Sequence, residues 1–200
     1  MPSVPRRSRI AFLILLFLFP TGCAALGEDQ RLEDTRVQRS RFGETVVISS
    51  DDPPLPQGWR MPASTETGHG WRNEDPNRSL VAKGDFNGDG ITDVARMLVR
   101  DTGPGLALFA FVSQKDHTFK AHLLDEKEDP NYIRVLGIAT VPPGVYKTAC
   151  GKGYFDCREG EPPEIVLRNP SIRYFKVGSA SAFFYWDPAI NSFKMIGIGD

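Results

Sequence analysis

Gly84-Asp85-Phe86-Asn87-Gly88-Asp89-Gly90-Ile91-Thr92-Asp93 runs directly into Val94-Ala95-Arg96-Met97-Leu98-Val99. Asp85, Asn87, Asp89 and Asp93 stand at positions 1, 3, 5 and 9 of a loop, with Gly90 at position 6. Alternate side chains of a tightly curled loop converge, and this spacing suits a hard cation such as calcium, which takes roughly six to eight oxygen ligands. The carbonyl of Ile91, at position 7, would add a further oxygen. Gly90 sits where the chain must turn sharply, a place that favours positive φ. The competing reading is an Asp/Asn/Gly-rich turn with no metal, since the same residues build ordinary turns. Regular alternation of the acids favours the metal.

The residues just after the loop decide the fold. An EF-hand needs a bidentate Glu at position 12 and a helix on each side. Position 12 here is Arg96, and Val94 to Val99 reads as a strand. The D-x-N-x-D-G-x-x-D stretch therefore resembles the FG-GAP/VCBS-type repeat, in which such a loop joins two β-strands. The resemblance implies calcium held by Asp85, Asn87, Asp89, the backbone of Ile91, and Asp93. It also implies a secreted or surface protein.

The rest of the chain reads as β. Leu106-Ala-Leu-Phe-Ala-Phe-Val112 is an unbroken apolar run bounded by turns, which predicts a strand buried on both faces. Strands are also expected at 45–48, 80–83, 94–100, 118–124, 133–139, 145–148, 164–167, 172–177, 180–186 and 193–198, between Gly/Pro-rich turns. A short helix is expected around Glu66 to Asn73, weakened by Gly68 and Gly70. Asp125 to Asp129 reads as a charged loop tip. The D-x-N-x-D-G motif occurs once, and a propeller needs four to eight blades of roughly 40 to 50 residues. The expectation is one all-β domain over 42–200, an antiparallel sheet or two packed sheets, and not a complete propeller.

The N-terminal region reads as an export signal. Arg6, Arg7 and Arg9 precede the apolar run Ile10 to Phe19, which is too short for the roughly 20 residues that cross a bilayer as a helix. Thr21-Gly22-Cys23-Ala24 comes next. It resembles a bacterial lipoprotein signal, which implies a leader over 1–22, lipid on Cys23 and a polar tether over 23–41. Ala24 resembles the residues that permit passage to the outer membrane, facing the periplasm. Pro20 departs from that pattern, and the alternative is ordinary cleavage near Ala24 or Ala25, giving a soluble periplasmic or secreted protein. Of 24 Lys+Arg and 25 Asp+Glu, the leader carries three Arg, leaving 21 against 25 and a net charge of −4. That balance excludes an electrostatic footprint for nucleic acid. It also leaves membrane attachment to the lipid alone.

With Cys23 set aside, Cys150 and Cys157 remain, and the glycines between them let the chain double back into a disulfide loop. A zinc pair lacks two further ligands nearby, and the C-x-x-C spacing of a redox pair is absent. No G-x-S-x-G, H-E-x-x-H or Gly-rich phosphate loop occurs. His69, His117 and His122 show no shared-ligand pattern. Two functions of different class remain. One is a calcium-stabilised, lipid-anchored envelope module that binds a protein or glycan partner, with Trp59, Trp71 or Tyr185 as aromatic contacts, or plays a structural part. The tryptophans also read as edge packing of the core. The other function is an exported hydrolase whose site is assembled only in the tertiary fold.

Overall fold

The computed structural model describes residues 37–39, 45–47, 52–68, 70–72 and 79–199, all within one compact unit, Thr35–Asp200. The leader and Cys23 lie outside the described residues, as does His69.

Strand β1 (Val37–Arg39) pairs antiparallel with β2 (Thr45–Val47). The next strands in the chain build a five-stranded sheet. They are β3 (Trp59–Arg60), β4 (Val81–Gly84), β5 (Asp93–Arg100), β6 (Leu106–Ser113) and β7 (Phe119–Lys127). Both β3 and β4 pair with the same edge of β5, at opposite ends. The helix α1 (Ser64–Thr67) lies between β3 and β4, and stops before Gly68 at φ 73°. That is one turn, shorter than the helix expected around Glu66 to Asn73 and beginning two residues before it.

The second sheet has four antiparallel strands in the order β13-β12-β11-β8: β8 (Leu136–Val141), β11 (Ser171–Lys176), β12 (Ser181–Asp187) and β13 (Ser192–Gly197). A separate ribbon pairs β9 (Gly144–Lys147) with β10 (Glu164–Leu167). A 3-10 turn at Pro130–Arg134 replaces the start of the strand expected from Ile133.

Side-chain alternation sorts the core into layers. Ala95, Met97 and Val99 of β5 and Leu106, Leu108 and Ala110 of β6 face Ile138, Ile172 and Phe184 of the second sheet. The opposite face of the first sheet carries Leu98, Ala107, Phe109 and Phe111 and is covered by Leu55, Trp59 and Met61. The outer face of the second sheet packs Phe183 and Ile196 against Ile165 and Leu167 of the ribbon. Every residue of β6 is buried, because that strand has neighbours on both faces. The architecture is an all-β antiparallel domain, two packed sheets with a cover on each outer face, and it is neither a closed barrel nor a propeller.

β7 runs through Lys127, past the expected end at Leu124 and into the stretch read as a charged tip. A register shift between Leu108 and Phe109 accommodates it. The charges there are partnered: Asp125 accepts from Lys127 at 2.9 Å and from the Tyr174 hydroxyl at 2.8 Å, and Glu126 pairs with Arg100. A disulfide joins Cys150 and Cys157, whose Cα atoms are 4.9 Å apart.

Candidate functional site

The acidic loop connects β4 to β5 and is anchored at both ends. Phe86, at position 2, is fully buried between the sheets and meets Phe193 edge-on at 6.3 Å. Asp85, Asn87 and Asp89, at positions 1, 3 and 5, are exposed or half-buried, while Phe86 between them turns inward. Asp93, at position 9, is also fully buried. Its Oδ2 accepts the backbone N–H of Phe86 and its Oδ1 that of Ser113, both at 2.9 Å. Burial pushes its carboxyl up to about 6, against the N–H groups that favour the charge.

Between these anchors the loop curls on its own backbone. Asp85 Oδ1 accepts from Gly88 N at 2.7 Å and Asp89 N at 3.0 Å, and Oδ2 accepts from Gly90 N at 2.8 Å. Asn87 Oδ1 accepts from Asp89 N at 3.0 Å, and Asp89 Oδ1 accepts from Ile91 N at 2.8 Å. The side chain at each of these odd positions thus takes an N–H from two or more residues ahead, which winds the backbone into a tight turn. Gly88 and Gly90 take φ of 79° and 88°, as the sharp bend requires.

The donors match a hard cation in kind: three carboxylates, one amide oxygen and a backbone carbonyl. Asp85 Oδ1 accepts two N–H groups, whereas its Oδ2, like Asp89 Oδ1, accepts one and keeps a lone pair for a metal. The five candidate ligands differ in environment, with Asp89 exposed, Asp85, Asn87 and Ile91 half-buried, and Asp93 buried. Among the described residues, no three Asp, Glu, His or Cys side chains are gathered into a metal-holding group.

Beside the loop lies a groove of about 370 Å³. Asn87 belongs to its rim, together with Arg168, Asn169, Tyr185 and Asp187. Loop and groove meet at one close approach. A Cβ on Gly88 would sit 2.6 Å from Nδ2 of Asn169, so only glycine lets the loop lie against that amide. The stretch Asn169-Pro170-Ser171 reads in sequence as a turn and nothing more, and no local signal ties it to a loop some eighty residues earlier.

Of the three aromatics singled out in sequence, only Tyr185 lines this groove. Trp59 packs edge-on against Phe109 at 5.5 Å, and Trp71 packs against Phe175 at 5.7 Å and donates to the Arg134 carbonyl at 2.9 Å. His117 occupies a turn at φ 62° and His122 the interior of β7, so they do not share one strand.

No family model, no curated protein and no solved structure matches this chain. Function is therefore read from the loop and groove themselves.

Proposed function

We propose that this chain is a calcium-stabilised module of the bacterial cell envelope, anchored by lipid on Cys23 and serving a binding or structural role. One observation carries the calcium reading. The D-x-N-x-D-G loop is curled around its own side chains, and its Phe86 is seated in the core between the sheets. Asp85, Asn87, Asp89, Asp93 and the Ile91 carbonyl would hold the ion, which would supply positive charge to a turn carrying three carboxylates. The side chains themselves order the loop, and Phe86 transmits that order to the sandwich. The membrane reading is supported by the leader and Cys23 in the sequence.

A ligand that binds only the folded state stabilises it by RT ln(1 + [L]/Kd), about 2.7 kcal/mol at a hundredfold excess over Kd. Melting should therefore shift upward with calcium, return with a chelator, and respond little to magnesium, whose small octahedral shell suits this loop poorly. Asp89→Ala should remove most of the response. A melting curve indifferent to calcium, with no heat on titration, overturns the calcium reading. Independently, Cys23→Ser should release the protein from the membrane fraction and abolish labelled fatty-acid incorporation. Wild-type protein that carries no lipid overturns the anchor.

A further inference from the structure

We propose that the groove beside the loop binds a carboxylated saccharide, a uronic-acid unit of a glycan. Its wall is made by Tyr185, half-buried on the face of β12 that also carries Phe183. A phenol ring with one side in a groove offers the flat apolar surface against which the C–H face of a pyranose packs, while its hydroxyl stays at the wet edge. Two amides, Asn87 and Asn169, stand at the rim; Asn87 Nδ2 donates to Asp89 at 2.8 Å and Asn169 Nδ2 to the Phe86 carbonyl at 3.5 Å, and the second N–H of each amide can serve a ring hydroxyl.

The charge of the ligand is set by the ionic groups present. Asp187 lies in the groove, but its carboxylate is occupied by Lys194 at 2.5 Å and by the N–H of Ala189 at 2.9 Å. Arg168 is exposed at the groove and forms no ion pair among the described residues. A planar guanidinium without a carboxylate partner suits bidentate pairing with one. The lining thus presents one cation without an ion-pair partner among the described residues, one aromatic face and two amides, beside a loop whose Asp85 and Asp89 oppose an anion until they are screened, within a volume near the lower end for small-ligand sites, roughly 300 Å³. That favours one or two sugar rings over an extended peptide.

The inference rests on the binding reading above, and calcium in the loop, by screening Asp85 and Asp89, should tighten the binding without being required for it. The test is calorimetric titration of the purified mature chain with digalacturonic acid, run in calcium and again in chelator. Trp186, which also lines the groove, provides a fluorescence readout. Saturable binding is expected, weakened at least tenfold by Arg168→Gln, by Tyr185→Ala and by methyl esterification of the sugar carboxylates. Tyr185→Phe, which keeps the ring, should retain most of it. Arg168→Gln alters an exposed side chain, and an unchanged melting curve for this variant will show that the fold is intact. Absence of saturable binding in both buffers overturns the proposal. So does equal binding by Arg168→Gln, or equally tight binding of an acidic peptide. Loss of the calcium melting response with sugar binding retained would count against the metal and leave the groove standing.

Discussion

The buried carboxylate of Asp93 accepts the backbone N–H of Ser113, at the far end of β6, with one oxygen and that of Phe86 with the other. One side chain thus ties the entry of the acidic loop to the end of the next strand. Asp93→Ala would leave two buried N–H groups without acceptors, each costing roughly 1 to 3 kcal/mol. Asp93→Asn keeps one oxygen and should cost less than Asp93→Ala. Urea denaturation in chelator, where metal plays no part, orders the variants.

Arg96 is buried and pairs with Asp52, whose side chain is about half exposed at 51%. The Nε of Arg96 is buried without a partner among the described residues. A charge in that state destabilises most when its counter-ion alone is removed. Asp52→Ala should therefore cost on the order of 2 kcal/mol, while Arg96→Met, which removes the charge and keeps the bulk, should be near neutral. Denaturation midpoints in which Arg96→Met is the worse of the two would contradict this account.

Much of this architecture is legible in sequence because burial writes itself into local pattern. Leu106 to Val112 predicts a doubly buried strand, and β6 is one. Glu164 to Leu167 is a strand with the expected bounds. The failures occur where tertiary partners override local signal. Asp125 to Lys127 looks like a solvated tip, yet Tyr174, Lys127 and Arg100 satisfy the acids and the strand continues. Trp59 and Arg60 lie in a stretch with no alternation, and pair with β5 because Trp59 finds Phe109 and the Arg100 guanidinium. At the candidate site, the residues proposed to hold calcium are readable from spacing. The approach of Asn169 to Gly88 is not, because it comes from the link between β10 and β11 and depends on how the sheets pack.

His122 projects from β7 against Trp186 and Phe193, each with ring centroids 5.6 Å away. Ser192 Oγ lies 3.3 Å from its Nδ1, and Nε2 is buried without a partner among the described residues. Burial, and secondarily the charge of Lys120, push its pKa below the usual 6.5. The unfolded chain then binds more protons than the native one just below pH 6.5, so this histidine's contribution to stability is present above that pH and is lost as pH falls through the folded pKa. Asp93, whose raised carboxyl gains stability as pH falls, acts in the opposite sense over the same range, so the readout is the difference between variants: in melts from about pH 7.5 down to about 5, His122→Gln should lose less stability, or gain more, than the wild type. An unaltered slope in that variant would assign the pH response to other groups.

Cys150 and Cys157 close a loop with a sequence separation of 7. In the chain-entropy account, a short loop yields about 2 to 3 kcal/mol. Protein from an oxidising compartment should show no reactive thiol at either position until reduced, and the Cys150→Ser/Cys157→Ser variant should melt earlier. Full labelling of both cysteines in native, unreduced protein would exclude the bridge.

The cover formed by Leu55, Trp59 and Met61 also fixes how the domain meets mechanical force. Past the β1–β2 pair, tension transmitted along the chain from its N-terminal side meets Asp52 and its ion pair with Arg96, the edge contact of Trp59 with Phe109 and the two-residue pairing of β3 with β5. These joints are short, whereas β5, β6 and β7 share long ladders. A pull from that direction would peel the cover away and bare Leu98, Phe109 and Phe111 while the two-sheet body stayed closed.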